Sequence, residues 1–138
     1  MNRTLAIIKP DGVQAGLIGE IIKRIENEGL RIVAMRLIRM DRRKAEGFYY
    51  VHRSRPFFES LIDYMTSGPV VVMALQGYDV IQRWRSLMGA TDPRKAAPGT
   101  IRADMGTSIE RNVVHGSDSP DSAVYELNYF FTGTDFVE

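Results

Sequence analysis

Gly68-Pro69-Val70-Val71-Val72-Met73-Ala74-Leu75 places a chain break before a run that is β-branched at its start and apolar throughout. A Gly-Pro pair interrupts regular structure, and a short unbroken apolar run marks a strand covered on both faces. Val70 to Leu75 is therefore expected as a central strand. Immediately after it, Val80, Ile81, Trp84, Leu87 and Met88 recur at helical spacing. Before it, Phe48, Val51, Phe58, Leu61, Ile62 and Met65 suit two short helices, Ala45 to His52 and Phe57 to Met65, with Pro56 near their junction.

Further out, Thr4 to Ile8 is a short apolar run expected to be a buried strand entering a turn at Pro10-Asp11-Gly12. Ile18, Ile21, Ile22 and Ile25 alternate with Glu20, Lys23, Arg24 and Glu26, an amphipathic helix that Gly29 closes. Leu30 to Met40 alternates partly and suits a longer strand with one face covered. From Gly89 to Arg111 the periodicity vanishes, which predicts a long loop; in a small domain such loops are functional or disordered. Asn112-Val113-Val114-His115 then reads as a short strand, and Ser119-Pro120 starts a helix, with Ser as N-cap and Pro at the first position. Ala123, Leu127, Phe130 and Phe131 form that helix's buried face, with Glu126 at its edge. With the short helices before Val70 taken as an insertion, the order is β-α-β-β-α-β. The expected fold is α/β of the α+β kind, a ferredoxin-like sandwich whose four-stranded antiparallel sheet is covered by helices, with a long loop before the last strand.

The 138 residues, 44% hydrophobic and 25% charged, are enough for one globular domain, residues 1–138, without metal or disulfide staples. Eighteen Lys and Arg nearly balance 17 Asp and Glu, which argues against both a nucleic-acid coat protein and an acidic tail. The lack of cysteine removes thiolate nucleophiles and cysteine zinc sites, and two histidines are too few for a multi-imidazole metal site within one subunit. Neither a signal-like N-terminus nor a spanning apolar run of roughly 18 residues is present, so the chain is expected to be soluble and cytoplasmic, with no membrane partner.

The chain carries neither GxxxxGK[ST] nor a GxGxxG after a strand, so any nucleotide chemistry here does not use those phosphate loops. It offers instead Arg85, Thr91, Arg102 and the amides around Gly116, close in sequence to His115 at a helix entrance. Cationic and hydroxyl groups of this kind neutralise polyphosphate, and a neutral imidazole is a nitrogen nucleophile toward phosphorus at physiological pH. A lone histidine beside an apolar pair is more often a satisfied structural residue, and spacing alone does not separate the two readings.

Asn112-Val113-Val114-His115-Gly116-Ser117-Asp118-Ser119 resembles the active-site signature of the nucleoside diphosphate kinases. Ile8-Lys9-Pro10-Asp11-Gly12, Arg55-Pro56-Phe57-Phe58, Ser67-Gly68-Pro69-Val70, and Gly89-Ala90-Thr91 through Pro98-Gly99-Thr100-Ile101-Arg102 resemble that family in order and spacing, across essentially the whole chain. The resemblance implies ping-pong transfer of a γ-phosphoryl group from a nucleoside triphosphate to a nucleoside diphosphate, with magnesium held mainly by the nucleotide phosphates. It makes His115 the nucleophile, attacking through Nδ1, with Glu126 and Ser117 behind it. Asn112 and Lys9 match ribose contacts, Lys9 also lying near the terminal phosphate. Tyr49, Arg85, Thr91 and Arg102 match groups around the phosphates, and Phe57 with Leu61 matches the pair that sandwiches the base. A base held by its faces is read without its hydrogen-bonding edge, so broad base tolerance is expected. His52 stands where some relatives carry a phosphate-contacting histidine and others do not. The adjacent Tyr49 and Tyr50 compete for the site, and Tyr49 is the preferred register.

The resemblance also implies a homo-oligomer, a hexamer or tetramer built from dimers. The short tail, Thr134 to Glu138, differs from the long C-terminal extensions of some relatives, and Met105 and Asp92 replace an aromatic and an Asn common elsewhere. Three other functions use parts of the same pattern. A histidine phosphocarrier needs His115 but neither base clamp nor ribose contacts. A nucleic-acid-binding module on this fold needs exposed strand aromatics and a basic face. An inactive scaffold typically lacks the nucleophile or a phosphate ligand, and this chain retains both.

Overall fold

The computed structural model describes residues 2–137, so Met1 and the last tail residue, Glu138, lie outside the described residues. Four strands form one sheet in the order β2-β3-β1-β4: β1 (Asn2–Ile8), β2 (Arg31–Ile38), β3 (Val70–Gly77) and β4 (Val114–Gly116). Every pairing is antiparallel. This is the ferredoxin-like arrangement expected from the order of elements. All eight residues of β3 are buried, as its unbroken apolar run requires of a central strand.

Period-two alternation divides the core between the two faces of the sheet. Leu5 and Ile7 of β1, with Val70, Val72 and Ala74 of β3, pack against Phe48, Ile62, Met65, Leu127 and Phe130. Ala6 and Ile8, with Val71, Met73 and Leu75, pack against Ile21, Ile25, Trp84 and Met88 on the other side. Burying each large aliphatic side chain contributes about 1.5–3 kcal/mol, so both layers carry stability. The first face is covered by α3 (Arg42–Phe48), α4 (Phe58–Met65) and α7 (Pro120–Phe130), and the second by α2 (Ile18–Asn27) and α5 (Val80–Met88). The stretch 45–52, expected as one helix, is split: α3 ends at Phe48, and Tyr50–His52 forms a single 3-10 turn.

Two expectations change. Pro10-Asp11-Gly12 does not make a turn but opens a short helix, α1 (Pro10–Gln14), with Pro10 at its first position, where a missing N–H costs nothing. The 89–111 segment is not plain loop. It contains a 3-10 turn, Pro93–Lys95, and α6 (Ile101–Met105), capped by the Thr100 side chain, which accepts from the Ala103 amide. A five-residue helix shows too little of a 3.6-residue period to be read from sequence.

Strand β2 lies at the sheet's edge and carries an irregularity between Ile32 and Ala34. There the Val33 carbonyl accepts the Val137 amide, which ties the C-terminal segment back onto the edge. Beyond the irregularity, Met35 and Leu37 are 52% and 64% exposed on the side of the sheet that faces α2.

Candidate active site

Local geometry at the end of β1 and the start of β4 builds the floor of a cavity of about 980 Å³. Val113 has φ 76°, a left-handed conformation that is unusual for a β-branched residue and costs about 1–3 kcal/mol. Across it the Val114 amide bonds the Asn112 carbonyl at 2.8 Å, closing a tight γ-turn, and the Val113 carbonyl accepts the Lys9 amide at 2.8 Å. The turn brings the Asn112 side chain beside Lys9, whose Nζ donates to Asn112 Oδ1 at 2.8 Å. Asn112 Nδ2 in turn donates to the Thr91 carbonyl at 3.0 Å. Burial, then the nearby Arg102 charge, pushes the Lys9 ammonium down to about 8.

His115 occupies the middle of β4, opposite Ile7, rather than the strand end that its sequence suggested. Its carbonyl accepts Trp84 Nε1–H at 3.2 Å. Its ring sits edge-on to Phe48 and Tyr49, and Nε2 lies 2.9 Å from Glu126 Oε1. Ser117, wholly buried, accepts the Leu5 amide at 3.2 Å and donates to the same Glu126 oxygen at 2.8 Å. The carboxylate is thus held from two sides. With Nε2 directed to Glu126, Nδ1 is the ring nitrogen left for other chemistry.

Positive charge gathers around this histidine. Arg102 is buried and donates to the carbonyls of Asn112, Gly89 and Val114 at 3.3, 3.0 and 2.7 Å. A guanidinium has five N–H groups, so two remain for an anion in the cavity. Burial, then Arg85, lowers the Arg102 pKa to about 10, which leaves it charged at neutral pH. Arg85 is more exposed and pairs with Asp118 at 2.9 Å on the cavity rim. Thr91 lines the same wall. Tyr49 is buried, and its hydroxyl has no hydrogen-bond partner among the described residues although the side chain lines the cavity. Burial, with Glu126 nearby, raises its pKa, so the hydroxyl remains a donor. Tyr50 points elsewhere, half-exposed beneath the Arg53 guanidinium.

The mouth is apolar. Phe57 and Leu61, from the start of α4, line one side, and His52 stacks obliquely near Phe57 with ring centroids 5.6 Å apart. Ile109, 58% exposed, lines the same cavity and is not among the residues expected from the sequence. Its only signal was a single aliphatic residue within Gly106-Thr107-Ser108-Ile109-Glu110-Arg111. Ser60 Oγ donates to Glu110 at 2.8 Å and ties α4 to the segment that carries Ile109. The structure therefore gathers into one cavity all the candidate residues except Ser117, which stands behind Glu126. Asp11 and Val113 were not singled out for a role, because a backbone conformation leaves no mark in composition or periodicity.

The sequence matches the family model described as nucleoside diphosphate kinase over residues 2–136. It is 62% identical over 137 residues to a nucleoside diphosphate kinase of Desulfosudis oleivorans, covering 99% of both chains. It is 54% identical to one from Desulfovibrio desulfuricans, covering 100% of this chain and 99% of that protein. The fold superposes on the nucleoside diphosphate kinase of Aquifex aeolicus with a TM-score of 0.96 at 47% identity, covering 99% of each chain. It superposes equally well, TM-score 0.96 at 44% identity, on a halophilic nucleoside diphosphate kinase from Halobacterium salinarum in complex with CDP, covering 99% of this chain and 91% of that one.

Proposed function

Since this chain belongs to the nucleoside diphosphate kinase family, it is a phosphotransferase acting on nucleoside di- and triphosphates, and we propose that the phosphoryl group passes through His115. The observation that carries this reading is the 2.9 Å approach of His115 Nε2 to Glu126. A proton on Nε2 leaves the Nδ1 lone pair directed at the incoming phosphate. Nδ1 bonds to the γ-phosphorus as the bond to the β-γ bridging oxygen breaks, and the nucleoside diphosphate leaves. An acceptor diphosphate then attacks the phosphoramidate, and the ring nitrogen departs with its electron pair. While phosphorylated, the imidazole is cationic, and the Glu126 carboxylate stabilises it.

Phosphoryl transfer needs positioning and relief of charge on the equatorial oxygens more than covalent chemistry. Lys9, Arg85 and Arg102 supply the charge, while Thr91 and the Tyr49 hydroxyl supply hydrogen bonds. Lys9 and Asn112, already bonded to each other, meet the ribose hydroxyls. Phe57 and Leu61 hold the base by its face, which supports broad base tolerance. His52 lines the same cavity beside Phe57 and is a further candidate for a phosphate contact.

Magnesium fits this site as part of the nucleotide. Lys9, Arg85 and Arg102 line the cavity and suit a polyphosphate that carries its own cation, and among the described residues no group of three His, Cys, Asp or Glu could hold a metal. A bound magnesium ion neutralises phosphate charge and orients the chain of phosphates. The exposed Met35 and Leu37 on an edge strand support a homo-oligomer built from dimers, as a tetramer or hexamer. No helix among the described residues is long and apolar enough to cross a membrane.

Intact mass tests the core of the reading. Incubation with ATP and magnesium should add one phosphoryl group, GDP should discharge it as GTP, and His115→Ala should abolish both steps. A chain that is never labelled would remove the phosphohistidine, and a label that GDP cannot discharge would point to a phosphocarrier.

A further inference from the structure

The Asp11 carboxylate spans the gap between the first helix and the catalytic strand. One oxygen, Oδ2, accepts the Val113 amide at 3.1 Å. The other, Oδ1, accepts the Tyr64 hydroxyl, whose oxygen in turn accepts the Asp11 amide at 3.1 Å. Asp11 itself is set by Pro10 at the start of α1 and by Gly12. A Cβ at Gly12 would lie 3.1 Å from Val113 Cγ1 and 2.9 Å from Ile8 Cγ2, so only glycine lets α1 approach the turn this closely.

Val113 is a buried β-branched residue at positive φ, and such a residue keeps that conformation only if its surroundings hold it there. Two bonds do so from the same short segment: Lys9 donates its amide to the Val113 carbonyl, and Asp11 accepts the Val113 amide. The turn they hold aims Asn112 at Lys9 and sets the path of β4, on which His115 is two residues farther along.

We propose that Asp11 is a positioning residue for phosphoryl transfer, its carboxylate anchored by Tyr64 and clamping the left-handed turn at Val113 so that Asn112 and His115 face the nucleotide together. This rests on the reading of His115 as the phosphorylated group. Loss of the carboxylate frees Val113 to relax to negative φ, which carries Asn112 away from Lys9 and tilts His115, while the rest of the fold stays intact.

The test is the single-turnover rate of labelling by ATP and magnesium at saturating ATP, read by intact mass, with thermal melting beside it. Asp11→Ala should label about 10- to 100-fold more slowly, the scale on which small misplacements act in catalysis. Asp11→Asn should recover most of that loss, since its oxygen still accepts the Val113 amide and the Tyr64 hydroxyl can turn to accept from the new amide. The decisive comparison places both alanine and aspartate at position 11 in a Val113→Gly background. Glycine adopts positive φ freely, so there the loss of Asp11 should cost less than about threefold. An equal cost in both backgrounds, or a wild-type labelling rate in Asp11→Ala, overturns the proposal. Should Asp11→Ala alone not fold, Asp11→Ala/Val113→Gly against Val113→Gly, with Asp11→Asn against wild type, still decides it. There a loss of tenfold or more with glycine, or a slow Asp11→Asn, overturns it. Failure of the unaltered chain to label, or labelling of His115→Ala, brings down the phosphohistidine reading itself and this proposal with it.

Discussion

Nε2 of His115 and Oε1 of Glu126 stand 2.9 Å apart, and Ser117 bonds that same carboxylate oxygen at 2.8 Å. The ring and its partner come from adjacent elements, β4 and α7, so the contact is fixed by how the last helix packs on the sheet. On the proposed reading this contact keeps the proton on Nε2 and leaves Nδ1 to attack.

Glu126→Gln removes the charge and keeps the shape. It should lower kcat about 10- to 100-fold with little change in KM, because the carboxylate acts on the imidazole rather than on the nucleotide. Steady-state kinetics checks this, and an unchanged kcat would sink the assigned role.

Lys9 should give the free enzyme a titration near its lowered value, about 8. The protonated form is the one that attracts phosphate, so kcat/KM should be full below that value and fall as pH rises through it. Lys9→Met should show a low kcat/KM without this alkaline limb. A limb that persists in Lys9→Met would assign it to another group.

Phe57→Ala should raise KM for purine and pyrimidine nucleotides alike. Losing one aromatic face costs roughly 1–3 kcal/mol per base, or about 5- to 150-fold in affinity. A loss confined to one base would show that Phe57 reads base identity.

The close packing of the residue after His115 predicts a stability effect. A Cβ at Gly116 would lie 2.6 Å from Trp84 Cδ1 and 2.7 Å from Met88 Cε, both in the core. Gly116→Ala should cost about 1–3 kcal/mol and lower Tm by roughly 3–12 °C in a thermal melt. An unchanged Tm would show that α5 shifts freely.

On the proposal that the chain assembles through the exposed edge at Met35 and Leu37, Leu37→Glu should lower the mass seen by native mass spectrometry to that of a smaller species, because it places a charge in that contact. An unaltered mass would move the dimer contact elsewhere on the surface.

Where residues announced their own local physics, the fold could be read in advance. Ser119 caps α7 by accepting the Ser122 amide at 3.1 Å, and Pro120 follows it, as that dipeptide implied. The valines of β3 marked the sheet centre for the same reason. The charged and aromatic groups of the cavity were legible through a resemblance that spans the chain. Other features depend on contacts between distant segments. Helix α6 is too short to show a period. Ile109 matters only because the chain carries it to the cavity that Phe57 also lines. The positive φ of Val113 arises from partners about a hundred residues earlier, Lys9 and Asp11.

On the proposed reading the cavity offers one Lys9–Asn112 pair, one clamp at Phe57 and Leu61, and one histidine held by a carboxylate, His115, with His52 beside Phe57. Donor and acceptor must therefore occupy the same seat in turn and meet the same contacts. As with any catalyst the net direction of exchange is left to the concentrations outside, and a single seat means that donor and acceptor nucleotides compete for the same contacts. The enzyme then levels the phosphorylation state among nucleotide pools, and its own structure sets only how quickly they come level.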